Sequence, residues 1–537
     1  MSVQYPAHKL RLIERHSRKF LLIAVGETIQ TLALDDGSKI GVWPYDDEKD
    51  DSDDIDTRPI KKTKLENGSS AVFARQDSEL SEASIEIVSE GRTRQKGERR
   101  KPKTPNLTLP NVSHLITTRS GDYAIAVTIE DKAVRVFQVS SQGRLEQLTC
   151  RNLPKKLCAI ALTHDETTIL AADKFGDVWG IPLIPSDDWQ PEPSKDVAES
   201  DNYRPSATEL TVHTKGNLEA LRQQQRLKLT RKTKDGLDFE HKLLLGHVSL
   251  LTDLIVASVP ALNGNSLSRH YIITADRDEH IRISRSVPQT HIIENFCLGH
   301  TEFVSKLCVS PWSSSHLLAG NGEPSLRTYA IQTGEQISRC DLLSIPALRN
   351  SVGTALEASP DRDISKLTVS GLWPLLSEDF PSVLLAFEGV PYIFELRDAQ
   401  NADTIKVIPT IGNVLDVTCI DSKTIAVAVD TVHQSGSYKV YRPDLGHGSQ
   451  SIELYNRTKL GEDWQKQSMN FDLEPIVKDI SASKQDKEGN GSKQEKIFSP
   501  LGEFLYGLGN LRKWRGKGGE DEDDEVDQDQ EILAEQE

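Results

Sequence analysis

Apolar residues along this chain come in short alternating runs cut by turn residues, not in long stripes of helical period. "FLLIAVGETIQTLAL" (Phe20 to Leu34) begins the pattern, and it returns in "HLITTRSGDYAIAVTIEDKAVRVFQVS", "LCAIALTHDETTILAADKFGDVWGIPL", "SVLLAFEGVPYIFELR" and "VLDVTCIDSKTIAVAVDTVHQSGSYKVYR". Alternation of this kind puts every second side chain on one face and predicts half-buried strands, and the Gly, Asn and Asp positions between runs predict hairpins. The class is all-β.

Aligned by their turns, the runs form a repeat. "LLGHVSLLTDLIVA" leads through a polar loop to "YIITADRDEHIRIS", and "CLGHTEFVSKLCVSP" leads to "LLAGNGEPSLRTYAIQTGE". The shared unit is a WD-type blade, with Gly-His starts at Gly246-His247 and Gly299-His300, and the architecture is a seven-bladed WD40-type β-propeller. In that template the His and an Asp in the tight turn join a hydrogen-bond network ending at an aromatic in the third strand. His247 and Asp278 fit, with Ser284 at the aromatic position; His300 and Tyr329 fit, with Gly322 at the Asp position; Asp131 and Phe137 fit in the second blade. The first blade lacks an outer strand in this alignment. Residues after Tyr441 are expected to supply it and so close the ring by pairing the chain's two ends.

The repeats divide the 537 residues. Residues 1–45 give first-blade strands and 46–110 a polar insertion too poor in apolar residues to order itself. Blades occupy 111–186 and 240–460, separated by a basic insertion over 187–239. Within that insertion, "KGNLEALRQQQRLKLTRKTK" (Lys215 to Lys234) places Leu218, Leu221 and Leu227 among good helix formers: a short basic helix able to meet phosphate, or a solvated loop helix. A C-terminal segment, 461–517, precedes an acidic tail, 518–537, expected to be disordered.

Charge changes this picture little. The formal net charge of −17 is concentrated in the tail, with eleven acidic residues and no basic one, and in "DDEKDDSDDID" (Asp46 to Asp56). "IKKTK" (Ile60 to Lys64) and "GERRKPK" (Gly97 to Lys103) read either as nuclear import signals or as solvated linker. On the first reading the protein is nuclear, with the cytoplasm as a second location. No run of 18 apolar residues exists and the N-terminus lacks a signal peptide's hydrophobic stretch, so a soluble intracellular protein is expected. The six cysteines form no CxxC pair and have no histidine at zinc spacing, so they read as small core residues without metal or disulfide. No G-x-S-x-G, H-E-x-x-H, Walker lysine loop or strand-to-helix G-x-G-x-x-G is present, and "YGLGN" (Tyr506 to Asn510) reads as a turn. No catalytic residue and no cofactor are expected.

"ITADRDEHIRIS" (Ile273 to Ser284) carries five charges and a histidine. A blade needs the Asp and the apolar residues there, but not Arg277, Glu279 and Arg282 together. The surplus is either a set of surface ion pairs or a protein-binding surface, where arginine's planar fork suits a carboxylate.

"ADRDEHIRIS", followed by "HIIENFCLGHTEFVSKLCV" and preceded by "LLGHVSLLTD" and "AADKFGDVWGIPL", resembles the non-catalytic WD-repeat subunit of the tRNA (guanine-N7-)-methyltransferase in a fungal form. "LYGLGNLRKW" (Leu505 to Trp514) resembles that family's C-terminal motif. The resemblance implies a heterodimer in which a separate subunit binds S-adenosylmethionine and methylates guanine N7 in the tRNA variable loop. This chain would stabilise that subunit and carry no catalytic residue. It further implies that Arg282 pairs with a carboxylate of the catalytic subunit, with Asp278 and Glu279 as acidic neighbours, Arg277 beside them and Lys174 on the same surface. Direct contact of this chain with tRNA stays open, through the basic insertion or "NLRKWRGK" (Asn510 to Lys517). A WD-repeat scaffold of another nuclear complex, a ubiquitin ligase or chromatin assembly, is the alternative reading.

Overall fold

The computed structural model describes residues 2–44, 110–186, 189, 237–260, 268–357, 362–377, 380–397, 405–444, 446–479 and 500–513. The 46–109 part of the first insertion, the basic helix at 215–234 and the acidic tail lie outside the described residues, as do both import-signal clusters.

Seven four-stranded antiparallel sheets follow one another along the chain. Blade 1 spans Ala7 to Trp43, blade 2 Val112 to Asn152, blade 3 Leu157 to Gly246, blade 4 Leu251 to Cys297, blade 5 Val304 to Asp341, blade 6 Val369 to Pro409 and blade 7 Asn413 to Gln467. Each first strand touches the first strand of the next blade, and that of blade 7 touches that of blade 1, so the sheets form a closed ring. Because every blade is a meander, the turns joining its second and third strands lie on the same end of the ring as the links to the next blade.

All seven first strands carry a bulge at the same place. The bulge brings one residue per blade into a common register: Lys9, His114, Ala159, Asp253, Lys306, Gly371 and Asp416. Several residues at or beside this layer bond across to the next blade's backbone. Asp253 accepts from Leu307 N at 2.7 Å, Ser305 donates to Val369 O at 2.7 Å, and His114 Nε2 lies 2.9 Å from Cys158 O. Burial, with Lys9 and Lys306 next, pushes His114 down to about 3, so it bonds as a neutral ring.

The closing seam between blades 7 and 1 is made by Asp416, which accepts from Leu10 N at 3.0 Å and pairs with Arg11 at 2.8 Å. Leu10, Leu21, Ile23, Ala426, Ala428 and Leu454 form one apolar cluster across it. The first blade needs no strand from the C-terminal region. Its outer strand is Lys39–Trp43, placed by a turn in which Gly37 has φ +75° and where a Cβ would lie 2.3 Å from Asn470 O. The alignment missed this strand because "KIGVW" is short and half-exposed, with little alternation. The N-terminal strand Ser2–Gln4 pairs instead with Val477–Asp479 in a separate two-stranded ribbon.

Three further findings depart from the sequence reading. Blade 7's third strand is Ile452–Asn456, not the "YKVYR" run, which makes only one bridge, His433 with Tyr441; the blade therefore extends to Gln467, past residue 460. An unanticipated helix, Pro346–Leu356, links blades 5 and 6 and buries Leu348, Val352, Ala355 and Leu356, a helical spacing hidden between strand runs. Of the cysteines, Cys297, Cys308 and Cys340 are buried but Cys150 is exposed, so not all are core residues.

Replacing Asp416 by alanine is expected to remove about 2 kcal/mol by leaving Leu10 N–H without its acceptor. Burial works to raise the Asp416 carboxyl, but Arg11, Lys9 and the backbone N–H groups outweigh it and hold it below its usual value. A depressed acid stabilises the fold above its unfolded value, about 4, and that contribution fades as pH falls further. Urea unfolding of both proteins should therefore show a gap near neutrality that narrows in acid; equal midpoints at neutral pH would show that apolar packing alone closes the ring.

Candidate functional site on blade 4

In the hairpin of blade 4, Ile281 and Ile283 pair with Ala275 and Ile273 and are fully buried, which fixes the third strand and turns Arg282 to the other face. The turn acceptor is Asp276, whose Oδ1 accepts from His280 N at 2.9 Å. The same position, the last residue of the second strand, does this work in other blades. Asp173 accepts from Phe175 N (2.8 Å), Asp177 N (3.1 Å) and Trp179 Nε1 (3.1 Å), Asn321 from Glu323 N (3.1 Å), and Asp430 from Val432 N (2.8 Å). The sequence alignment therefore set the turn acceptor too far along at Asp278 and Gly322. Asp276 and Asp278 are two residues apart, so alternation alone does not separate them.

The remaining blade residues are placed as follows. His247 Nδ1 lies 2.9 Å from Gly176 O and its Nε2 2.9 Å from Thr274 Oγ1, tying blade 3 to blade 4. Burial, then Arg282, pushes this histidine down to about 4; the neutral ring donates to the carbonyl and accepts from the threonine. His300 Nδ1 is 3.4 Å from Asn321 Nδ2, its ring centroid is 5.6 Å from that of Tyr329, and Tyr329 donates to Leu298 O at 3.2 Å. Asp131 pairs with Arg135 and accepts from Thr128, while buried Phe137 meets Trp43 of blade 1 edge-on at 5.1 Å.

Arg282 is half-buried; its Nε donates to Ser284 Oγ at 3.2 Å and its Nη1 to Gly246 O at 2.9 Å. Ser284, where the template has an aromatic, thus serves as a prop for the guanidinium. No carboxylate pairs with Arg282 among the described residues, and burial is what lowers its pKa. Apolar side chains open to solvent occur on this blade and its entry: Phe296, directly across the sheet from Arg282, Val248 beside His247, and Leu298 after the fourth strand, 58 % exposed. A half-buried cation without a counter-charge, with exposed Phe296 paired across the sheet from it, suits a protein partner that brings a carboxylate. Lys174 occupies in blade 3 the place that Arg277 has in blade 4, directly after the turn acceptor.

The other three candidates are not open in this way. Arg277 Nε donates to Leu511 O at 3.1 Å, and Lys513 Nζ lies 3.0 Å from Asp278 and 3.9 Å from Glu279. These contacts come from the C-terminal segment, which crosses the end of the ring. Leu501 packs with Val3 and Val432, and Phe504 meets His8 edge-on at 4.8 Å. Tyr506 donates to Asp430 and accepts from Asn413 at 3.3 Å, and Leu508 N donates to Glu388 at 2.9 Å. Arg512 holds Gly322 O, Lys366 O (2.7 Å) and Glu302 (3.3 Å). "YGLGN" is therefore the middle of a strap bonded to blades 7, 6, 5 and 4, and Arg512 and Lys513 of "NLRKWRGK" are committed within the chain. Only the family-like motif "LYGLGNLRKW" pointed to this segment; its contacts reach residues as distant in sequence as Val3 and His8, which no local pattern encodes.

Changing Tyr506 to phenylalanine is expected to loosen the strap by about 1–2 kcal/mol, since buried Asp430 loses a donor. Amides of residues 501–511 should exchange faster with deuterium while those of the blades do not; unchanged exchange would show that the hydroxyl is dispensable.

The family described as "tRNA methyltransferase TRM82 WD40 domain" matches residues 21–455. A protein of Coccidioides immitis named "tRNA (guanine-N(7)-)-methyltransferase non-catalytic subunit TRM82" is 36 % identical over 97 % of this chain and 100 % of its own length. The similarly named protein of Aspergillus oryzae is 35 % identical over 97 % of this chain and 99 % of its own. That of Phaeosphaeria nodorum is 41 % identical over 69 % and 77 %.

Proposed function

This chain belongs to the TRM82 family of non-catalytic subunits of tRNA (guanine-N(7)-)-methyltransferase, and from that premise we propose that it forms a heterodimer with the S-adenosylmethionine-dependent catalytic subunit, stabilising it for methylation of a guanine in the tRNA variable loop. The observation that supports this most is Arg282: a guanidinium held by Ser284 and Gly246, partly desolvated, with no carboxylate of its own chain to pair with among the described residues. Desolvating a cation is costly unless a counter-charge arrives, so a partner's Asp or Glu gains more here than at a fully hydrated arginine. Exposed Phe296, across the sheet from it, supplies apolar surface that such a contact buries. Lys174, on the neighbouring turn, extends the basic side of the surface. The nucleus is the proposed location, on the two basic clusters of the first insertion.

Purified catalytic subunit is expected to methylate tRNA at guanine N7 efficiently only when this chain is added, and this chain alone should show no activity. Arg282→Glu should fold normally, by circular dichroism and melting, yet lose pairing by at least tenfold, because it sets two like charges face to face. Co-elution of that variant with the catalytic subunit at wild-type yield would overturn the reading.

A further inference from the structure

We propose that the end of the C-terminal strap is part of the surface that receives the catalytic subunit, and that Lys513 offsets the acidic excess of that surface so that Arg282 can attract a carboxylate. The inference rests on the docking reading of Arg282 and adds to it. On the blade 4 hairpin by itself, Arg277 and Arg282 stand against three carboxylates, Asp276, Asp278 and Glu279, so the hairpin has an acidic excess and offers an acidic partner no net attraction. The strap changes this. Lys513 lies against both acids, 3.0 Å from Asp278 and 3.9 Å from Glu279, while Arg277 turns away to bond Leu511 O at 3.1 Å. With the two acids drawn to Lys513, Arg282 remains as the unpaired charge facing outward.

The strap is built to deliver Lys513 there. Arg512, one residue earlier, is locked by Gly322 O, Lys366 O, Thr368 Oγ1 and Glu302, and stacks over Phe303 at 5.7 Å. Tyr506 is sunk beside Asp430 and Asn413. Five anchoring side chains on three blades are far more than an idle C-terminal segment requires, and an ammonium tethered this closely loses less freedom on pairing than one on a loose chain. The partner chemistry is an acidic group on the catalytic subunit that meets Arg282, beside a hairpin whose own acids are held by Lys513.

The test compares binding to purified catalytic subunit by the full chain, by a chain ending at residue 513, by one ending at residue 499, and by Lys513→Glu and Arg282→Glu in the full chain, each at low and high salt. The chain ending at 513 should bind as the full chain does. Lys513→Glu and the chain ending at 499 should bind about tenfold more weakly, mostly through slower association, with the difference shrinking as salt rises. Since Lys513 is half-exposed, its substitution tests charge without endangering the fold. Undiminished or tighter binding by Lys513→Glu, with Arg282→Glu impaired, would overturn the strap's role and leave the docking reading standing. Undiminished binding by Arg282→Glu would remove the docking reading itself.

Discussion

The ring depends on how neighbouring first strands hold one another. Each sheet completes its ladder within its own blade, so adjacent blades share no strand pairing; side chains that reach from one blade to the next blade's backbone supply the directional bonds instead. Asp253, Ser305, His114 and Asp416 do this at or beside the common bulged layer, each bond contributing about 1 kcal/mol and, more importantly, fixing register where apolar contact alone would permit sliding. Lys9, Arg11 and Lys306 meet the charge of the two aspartates in that layer, so a partly buried ring of charged groups is tolerated.

Closure of the ring and the strap draw on different parts of the chain. Blade 1 is complete by Trp43, which frees the C-terminal region from supplying a strand. That region first seals the outside of the closing seam, where Gln30 exchanges paired bonds with the Glu474 backbone at 2.8 Å, then returns as residues 500–513 across one end of the ring. The strap's anchors are polar residues at the turns of that end, chiefly the buried Asp430, the half-buried Glu388 and the Asp278–Glu279 pair.

Blade 4 departs from its own template in the manner a binding site would. An aromatic at Ser284 would add apolar packing, and the serine gives that up for a hydroxyl that positions Arg282. His247, kept neutral by burial and by the same arginine, secures the blade from behind without adding a second charge. The residues with the greatest departure from an ordinary blade thus lie together, around a cation whose counter-charge is not in the hairpin.

The alternating pattern determined the all-β class, the blade count and the surplus of charge at 277–282, because period-two burial and turn residues are local properties that each stretch carries with it. Local pattern also sufficed to bring Ile281 and Ile283 inward and so to face Arg282 outward. It could not choose Asp276 over Asp278 as the turn acceptor, see a weakly alternating edge strand at Lys39–Trp43, or tell which of several charges already had partners. Those were decided by the tertiary structure, since Lys513 meets Asp278 only after seven blades have closed and brought positions 235 residues apart into one ion pair.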